Sequence, residues 1–238
     1  MIIDPRKVAV IEELKHEERE EKIRRYKNLN KLARKGQIVF CGSSLMEQFP
    51  IHELLADLES PTGSSAGSPA GIPLAVYNRG VSGYTTVELA ERLDTLVFDL
   101  EPAHVFINIG TNDLNAEQLD LDGLLDRYDM ILTRIRENLP DARLYILAYY
   151  PCNHAVVMSD PGIAAHFQFR TNDRVRQANE AVRSLAQKHH AQFLDLNAGI
   201  TDEDGSLIKE YTTDGIHIFG EGYMKVLEEL LPTLRSLQ

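Results

Sequence analysis

Several features that mark whole classes of protein are scarce in this sequence. Its 238 residues contain only two cysteines, Cys41 and Cys152, too few for the disulfide framework of a small secreted domain. Cys41 lies in an apolar run, where a free, buried thiol is the simpler interpretation. No apolar run approaches the roughly 18 residues that a transmembrane helix needs. The sequence therefore requires no oxidising compartment, and we expect no membrane association.

Basic residues are also in the minority. The chain has 25 lysines and arginines against 36 aspartates and glutamates, which gives a net charge of −11. This charge disfavours binding to nucleic acid and favours a self-repelling, soluble surface. The first residues include Asp4, Arg6 and Lys7 and no long apolar core. We therefore expect no secretory signal peptide and a cytoplasmic protein.

The common signatures of cofactor and metal sites are missing as well. No G-x-G-x-x-G or P-loop pattern occurs, which disfavours the nucleotide binding seen in other doubly wound folds. Cys152, His154 and the pair His189–His190 could be suggested as metal ligands, but their spacing matches no known ligand pattern. We expect no cofactor and no metal.

Short apolar runs alternate with helical patterns along most of the chain. The five predicted strands cover residues 38–41, 74–77, 104–109, 143–149 and 192–196. A capping box opens a helix at Thr85, and a closing helix begins at about Glu221. This alternation predicts a single α/β domain over 1–238, with a doubly wound, five-stranded parallel sheet in a three-layer sandwich.

Two segments lie outside this alternation. Residues 1–35 are rich in Glu, Lys and Arg, and predict a helical extension, in one piece or two halves, that packs on the outside of the domain and ends near Gly36. Residues 60–73 are rich in Gly, Ser and Pro and predict a flexible surface loop. A G-x-S-x-G match at 63–67 lies in this loop. We reject it as a nucleophile elbow because no strand precedes it and no helix follows it.

The stretch from Gln37 to Leu45 has the arrangement that commonly presents a nucleophilic hydroxyl. A short apolar run stops at Gly42 and is followed by Ser43 and Ser44, just before a helical segment. Free N–H groups and the helix dipole at such a turn face developing negative charge. Ser44 is therefore a candidate nucleophile, although the commonest role of a serine at this position is that of an N-cap.

A serine nucleophile needs a base, and the chain offers eight histidines. Only His217 has an aspartate, Asp214, three residues before it in a glycine-containing turn. At that spacing the carboxylate can hold the imidazole N–H and fix its tautomer. His104, in contrast, begins a strand and so lies at the opposite edge of the sheet. Asp-x-x-His is a common pattern, and His217 alone would be a surface histidine.

Three groups at strand ends could stabilise an oxyanion. Gly83 lacks a side chain and could direct its backbone N–H towards a substrate oxygen. Asn112 offers a side-chain amide, and the N–H of Ser44 is the third donor. Ligands of such sheets bind at the carboxyl ends of the strands, so we expect these groups to meet there. Each of them alone could be an ordinary turn or cap residue.

Four blocks of the sequence, taken together, resemble those of the SGNH hydrolases, also called GDSL-type esterases and lipases. The blocks are Gly42-Ser43-Ser44, Ser82-Gly83, Gly110-Thr111-Asn112-Asp113 and Asp214-Gly215-Ile216-His217. They are most similar to members like the catalytic subunits of platelet-activating-factor acetylhydrolase. The resemblance implies a flavodoxin-like fold, with Ser44 as nucleophile, His217 as general base and Asp214 as its orienting acid. It also implies an oxyanion hole formed by Ser44, Gly83 and Asn112.

The chain departs from this pattern at one position, where Ser43 replaces the usual Asp; a serine hydroxyl can still accept a hydrogen bond but carries no charge. Residues 1–35 and 60–73 also lie outside the resemblance.

The resemblance to this family implies hydrolysis of a small-molecule ester through an acyl-enzyme. Acyl transfer to an acceptor other than water would use the same residues. A non-catalytic module whose N-terminal helix recruits a partner is a further alternative.

The substrate is expected to be a small, water-soluble ester with a short acyl chain, such as an acetylated sugar. The chain has no hydrophobic lid-like segment that would favour aggregated lipid. Tyr149, Tyr150 and the loop at 152–170 are candidates for the pocket lining, because aromatic rings can stack on sugars. Core packing is an equal alternative for the two tyrosines. The charged N-terminal helix is compatible with a homodimer.

Overall fold

A computed structural model describes residues 5–57, 72 and 74–237, with side chains described from residue 10 onwards. The strands are β1 (Ile38–Gly42), β2 (Val76–Gly80), β3 (His104–Asn108), β4 (Arg143–Leu147) and β5 (Gln192–Leu194). The α-helices are α1 (Pro5–Asn30), α2 (Ser44–Glu47), α3 (Ile51–Asp57), α4 (Thr86–Glu91), α5 (Leu93–Leu96), α6 (Leu121–Asn138), α7 (His154–Ser159), α8 (Pro161–Phe167), α9 (Asn172–Lys188) and α10 (Gly220–Arg235). Across these ranges, none of the helices combines the length and the apolar composition that crossing a bilayer demands.

The five strands form one parallel sheet in the order β2-β1-β3-β4-β5. At the carboxyl end of β1, Gly42 is paired with Gly80 of β2 on one side and with Asn108 of β3 on the other. The chain winds in opposite directions from β1, and ligands of such sheets bind at this switch point. The predicted doubly wound α/β fold is confirmed, and the strand order is the flavodoxin-like one.

The central strands of the sheet are buried on both faces because apolar residues occupy both sides of β1, β3 and β4. In β1, Val39 and Cys41 belong to a core shared with α1, α4, α5, α6 and α9. Ile38 and Phe40 point the other way, into a second core shared with α2, α3 and α10. Continuous apolar strands of this kind are typical of parallel sheets covered by helices on both faces. The three layers of the predicted sandwich follow from this pattern.

The observed β4 and β5 each end two residues before the predicted ends, and one further strand and one loop differ more clearly from the prediction. β2 lies later than the predicted 74–77, because Asn78 and Arg79 continue the strand instead of beginning a turn. The Asn78 amide donates to the Met46 carbonyl at 2.6 Å, a buried partner that sequence alone does not reveal. The predicted loop at 152–170 contains two short helices, α7 and α8. The predicted loop at 60–73 falls outside the described residues, apart from the buried Ile72.

The N-terminal segment is one continuous helix that ends at Asn30, before the predicted end near Gly36. Asn30 is buried: its amide donates to the Thr95 carbonyl at 2.7 Å, and its Oδ1 accepts from Arg79 Nε at 3.0 Å. The Tyr26 hydroxyl donates to the carbonyl of Gly80 at 2.8 Å. These bonds tie the last turns of α1 to α5 and β2, so α1 is held in a fixed position on the domain.

Replacing Asn30 by alanine should lower the free energy of unfolding by about 1–3 kcal/mol, because the buried Thr95 carbonyl and the Arg79 guanidinium lose their partner. Urea unfolding followed by circular dichroism measures this loss. Asn28→Ala is the matched control on the exposed side of the same helix, and should change stability by less than about 0.5 kcal/mol. Equal effects of the two substitutions would contradict the anchoring of α1 through Asn30.

Candidate active site

Ser44 is the first residue of α2, directly beyond the carboxyl end of β1. The Ser43 N–H extends the sheet pairing by donating to the Asn108 carbonyl at 3.3 Å. The chain then turns into α2, which leaves Ser44 8% exposed at the edge of the sheet. Since α2 has only four residues, the helix dipole anticipated from the sequence is short.

His217 meets Ser44 across this edge. His217 Nε2 lies 3.0 Å from Ser44 Oγ, and His217 Nδ1 lies 2.5 Å from Asp214 Oδ2. The other carboxylate oxygen, Asp214 Oδ1, accepts the backbone N–H groups of Ile216 and His217 at 2.9 and 2.8 Å. The turn therefore uses both oxygens of Asp214 and fixes the direction of the carboxylate. In this geometry a hydroxyl can pass its proton to the imidazole.

The same hydrogen bonds keep Asp214 charged. Burial raises its pKa, but the hydrogen bonds from the His217 side chain and from the His217 and Ile216 N–H groups outweigh it, and hold the pKa well below its ordinary value. A charged carboxylate favours the His217 tautomer with its proton on Nδ1. Nε2 is then left as an acceptor facing Ser44.

Two backbone N–H groups beside Ser44 are available as donors. Those of Ser44 and Gly83 make no hydrogen bond within the described part of the chain, and both residues line the same cleft. Gly83 has a φ of +78°, which other residues rarely adopt. Its loop is held in place by Glu47, whose Oε2 accepts the N–H of Ser82 at 2.6 Å.

Asn112 also lines the cleft, and its amide is held from two sides. Its Nδ2 donates to the Tyr84 carbonyl at 2.9 Å, and its Oδ1 accepts from Arg170 Nη2 at 2.9 Å. A guanidinium can only donate, so Arg170 must face Oδ1, which leaves the second N–H of Nδ2 unused by these contacts.

Arg170 is a site residue that the sequence analysis missed. Only 3% of it is exposed, and its Nε donates to Asn115 Oδ1 at 2.8 Å. Burial lowers its pKa to about 10, so the guanidinium remains charged at neutral pH. The packing of three distant segments creates this contact, and no local pattern in the sequence signals it.

The cleft holds about 440 Å³, and one of its walls is α1. Basic side chains from one face of α1 line it: Lys15, Arg19 and Lys22. Phe167, at the end of α8, meets the His217 ring edge-on with centroids 6.2 Å apart. The spacing of four and three residues between the basic side chains was visible in the sequence. A charged helix face is usually a solvated one, so this spacing does not by itself indicate a site.

The structure also shows where Tyr149, Tyr150 and Ser43 lie relative to the cleft. Tyr149 and Tyr150 do not line this cleft: they are 1% and 3% exposed, and pack in the core. The Tyr149 hydroxyl donates to the Ile109 carbonyl at 2.7 Å, which turns it away from the cleft. Ser43 Oγ could accept a hydrogen bond, but it is buried without a hydrogen-bond partner in the described structure, so this hydroxyl does not hold the turn.

Two of the candidate metal ligands, His154 and His189, have hydrogen-bond partners in the structure. His189 Nε2 lies 2.5 Å from Asp129, and His154 Nε2 lies 3.0 Å from the Gln168 carbonyl. Within the described ranges, no three residues of the types His, Cys, Asp and Glu are grouped so that they could hold a metal ion.

A parallel sheet that carries hydrogen-bonded Ser, His and Asp side chains at its carboxyl edge has the architecture of an α/β serine hydrolase. The sequence profile of the GDSL-like Lipase/Acylhydrolase family matches residues 40–225. The chain is 23% identical to platelet-activating factor acetylhydrolase IB subunit alpha2 of Rattus norvegicus over 201 residues, which cover 84% of this chain and 76% of the relative. It is 32% identical to the isoamyl acetate-hydrolyzing esterase of Saccharomyces cerevisiae over 68 residues, 29% of each protein.

A solved structure of a protein from Streptococcus pneumonia that is named as a platelet activating factor superposes on this chain with a TM-score of 0.81. The two chains are 26% identical, and the superposition covers 98% of this chain and 100% of the other. The chain therefore belongs to the GDSL-like lipase/acylhydrolase family and is a carboxylic ester hydrolase. The predicted family is confirmed, and the alternative of a non-catalytic module is not supported.

Replacing Asp214 by asparagine should destabilise the protein by about 2 kcal/mol at pH 7, because the charged hydrogen bond to His217 is lost. The folded-state pKa of Asp214 is lowered, so its stabilising effect is fully present above the unfolded value of about 4 and is lost as the pH falls further. The difference in free energy of unfolding between wild type and variant should therefore shrink from about pH 4 downwards.

Urea unfolding of both proteins between about pH 7 and 3 measures this difference. The exposed Asp204→Asn serves as the control and should show a small difference at every pH. A difference for Asp214→Asn that stays constant down to the lowest pH would contradict the lowered pKa.

Proposed function

We propose that this protein is a serine esterase that cleaves small carboxylic esters through an acyl-enzyme, with Ser44 as nucleophile. The observation that carries the proposal is the pair of contacts of His217, 3.0 Å to Ser44 Oγ and 2.5 Å to Asp214. Ser44 Oγ forms a bond to the ester carbonyl carbon while its proton passes to His217 Nε2. Asp214 holds the imidazole in position and stabilises the positive charge that forms on it.

The tetrahedral intermediate then collapses, and His217 returns the proton to the oxygen of the leaving alcohol. A water molecule then attacks the carbonyl carbon of the acyl-Ser44 ester while His217 Nε2 takes its proton. As this second intermediate collapses, His217 returns the proton to Ser44 Oγ and the carboxylic acid leaves. His217 takes up one proton and gives up one proton in each half of the reaction, so the site ends in its starting state.

We further propose that the oxyanion of this intermediate is stabilised by the N–H groups of Ser44 and Gly83 and by the Asn112 amide. The free state of the two backbone donors and the orientation of Asn112 support this assignment. Arg170 acts as a positioning residue: its charge polarises the Asn112 amide and makes its N–H a stronger donor. Donors fixed before the reaction are effective because they need no reorganisation.

A short acyl group fits the cleft best. Among the lining residues that the structure describes, only Val81 and Phe167 are large and apolar, whereas five are charged: Lys15, Glu18, Arg19, Lys22 and Glu47. A long hydrocarbon chain would find little apolar surface there. The relative that hydrolyses isoamyl acetate supports an acetyl or similarly small acyl group.

Three further expectations stay predictions. They are a cytoplasmic location, a homodimer, and water rather than another molecule as the acceptor of the acyl group.

Hydrolysis of p-nitrophenyl esters from acetate to palmitate tests the proposal. We expect turnover to be highest with acetate or butyrate, and Ser44→Ala to lose it by about 10⁴-fold or more. Ser43→Ala is the matched control, because this neighbouring hydroxyl has no hydrogen-bond partner in the described structure. Activity that rises with chain length would overturn the small acyl group, and an active Ser44→Ala would overturn the nucleophile.

Asn112→Ala should lower kcat by about 10²–10³-fold with little change in KM, because the lost donor acts only on the transition state. Asn115→Ala removes the other amide that Arg170 contacts and should cost less than this. Steady-state kinetics of both variants measures kcat and KM, and thermal unfolding verifies that each variant is folded. A nearly wild-type kcat in a folded Asn112→Ala protein would refute its role.

A further inference from the structure

The wall of the cleft formed by α1 carries a cation that the proposed chemistry does not use. Arg19 projects from α1 towards the loop that contains Ser82 and Gly83. Its Nε donates to the Ser82 carbonyl at 3.1 Å, and a β-carbon built on Gly83 would lie 2.1 Å from its Nη2. The guanidinium therefore lies directly against Gly83, at the edge of the proposed oxyanion site.

The other two basic side chains on this wall, unlike Arg19, form ion pairs with carboxylates. Lys15 is paired with Glu12 at 2.8 Å, and Lys22 is paired with Glu47. Among the residues that the structure describes, no carboxylate lies within salt-bridge distance of the Arg19 guanidinium, whose one hydrogen bond is to a backbone carbonyl.

The acidic groups of the lining do not neutralise Arg19. Glu47 is occupied by Lys22 and by the Ser82 N–H. Glu18 is exposed, whereas Arg19 is half-buried, so water screens the charge of Glu18 more strongly. A guanidinium with unused N–H donors, half removed from water, is suited to bind a carboxylate or phosphate oxygen.

This local cation stands out against the protein as a whole, which carries a net charge of −11. Long-range attraction to the acidic surface would not bring an anionic substrate to the cleft. Selectivity for an anion must then come from short-range contacts, and Arg19 is placed to make them.

We propose that Arg19 is a specificity residue that binds an anionic group in the alcohol part of the ester, so that the enzyme prefers acidic esters to neutral ones. The inference rests on the proposed function: a small acyl group such as acetyl has no room for a charge, so the anion belongs to the alcohol. The shared chemistry is a carboxylate or phosphate near the ester oxygen.

Matched substrates test this preference. The carboxylate 4-acetoxybenzoate and its neutral methyl ester carry the same acetyl group and differ in charge; 4-acetoxyphenyl phosphate supplies the phosphate arm. The ratio of kcat/KM, anionic over neutral, is compared between enzyme variants, so that intrinsic differences in ester reactivity cancel. We expect Arg19→Gln to lower this ratio about ten- to a hundredfold, with both anions or with the one that Arg19 recognises.

Two further variants separate specificity from structure. Arg19→Lys keeps the charge and should restore part of the ratio. Arg24→Gln removes a charge from an exposed position of the same helix and should leave the ratio unchanged. A rise in ionic strength should lower the ratio in the wild type but not in Arg19→Gln.

A ratio that is unchanged in Arg19→Gln for the carboxylate and for the phosphate alike would overturn the inference and leave the proposed esterase intact. An equal loss with neutral and anionic esters would also overturn it, since Arg19 would then only support the Gly83 loop. Cleavage of none of the esters would overturn both proposals. Thermal unfolding of each variant verifies that the chain is folded.

Discussion

The contact between Ser44 and His217 is the constraint on which the rest of this structure depends. The two residues lie at opposite ends of the matched family region, and 3.0 Å separates Oγ from Nε2. The parallel sheet makes this possible because all its strands end at the same edge. The turn that holds Asp214 and His217 then only has to reach that edge. Two backbone N–H groups and one imidazole share the Asp214 carboxylate, so the turn fixes its own geometry.

The supporting contacts around this pair are charged, although the protein interior is apolar. Glu47 holds the loop of Gly83, and buried Arg170 holds the amide of Asn112. A buried charge is costly unless it is hydrogen-bonded, and each of these groups is. Glu47 and Arg170 thereby hold the Gly83 N–H and the Asn112 amide in place before any substrate binds. Such fixed donors are the condition for electrostatic stabilisation of an oxyanion. α1 contributes a further charged contact. Asn30 anchors the end of this helix, and Arg19 on the same helix donates to the Ser82 carbonyl.

The sequence predicted the features that depend on local chemistry. Alternating apolar runs revealed the sheet, and four short blocks located Ser44, Gly83, Asn112 and the turn at Asp214–His217. Features made by packing between distant segments were missed. Arg170, which lies between α8 and α9, meets Asn112 from the segment after β3, and Arg19 lies against Gly83 because α1 forms one wall of the cleft. The sequence left Tyr149 open between pocket lining and core packing, because its position at a predicted strand end does not reveal that its hydroxyl donates to the buried Ile109 carbonyl.

Covalent labelling tests the central claim, that Ser44 is an activated nucleophile, most directly. The protein is incubated with a fluorophosphonate, its intact mass is measured, and the modified peptide is sequenced by tandem mass spectrometry. We predict a single adduct on Ser44, formed rapidly in the wild type, absent in Ser44→Ala and unaffected in Ser43→Ala. A folded wild-type protein that forms no adduct, or one that is modified at another serine, would contradict the account.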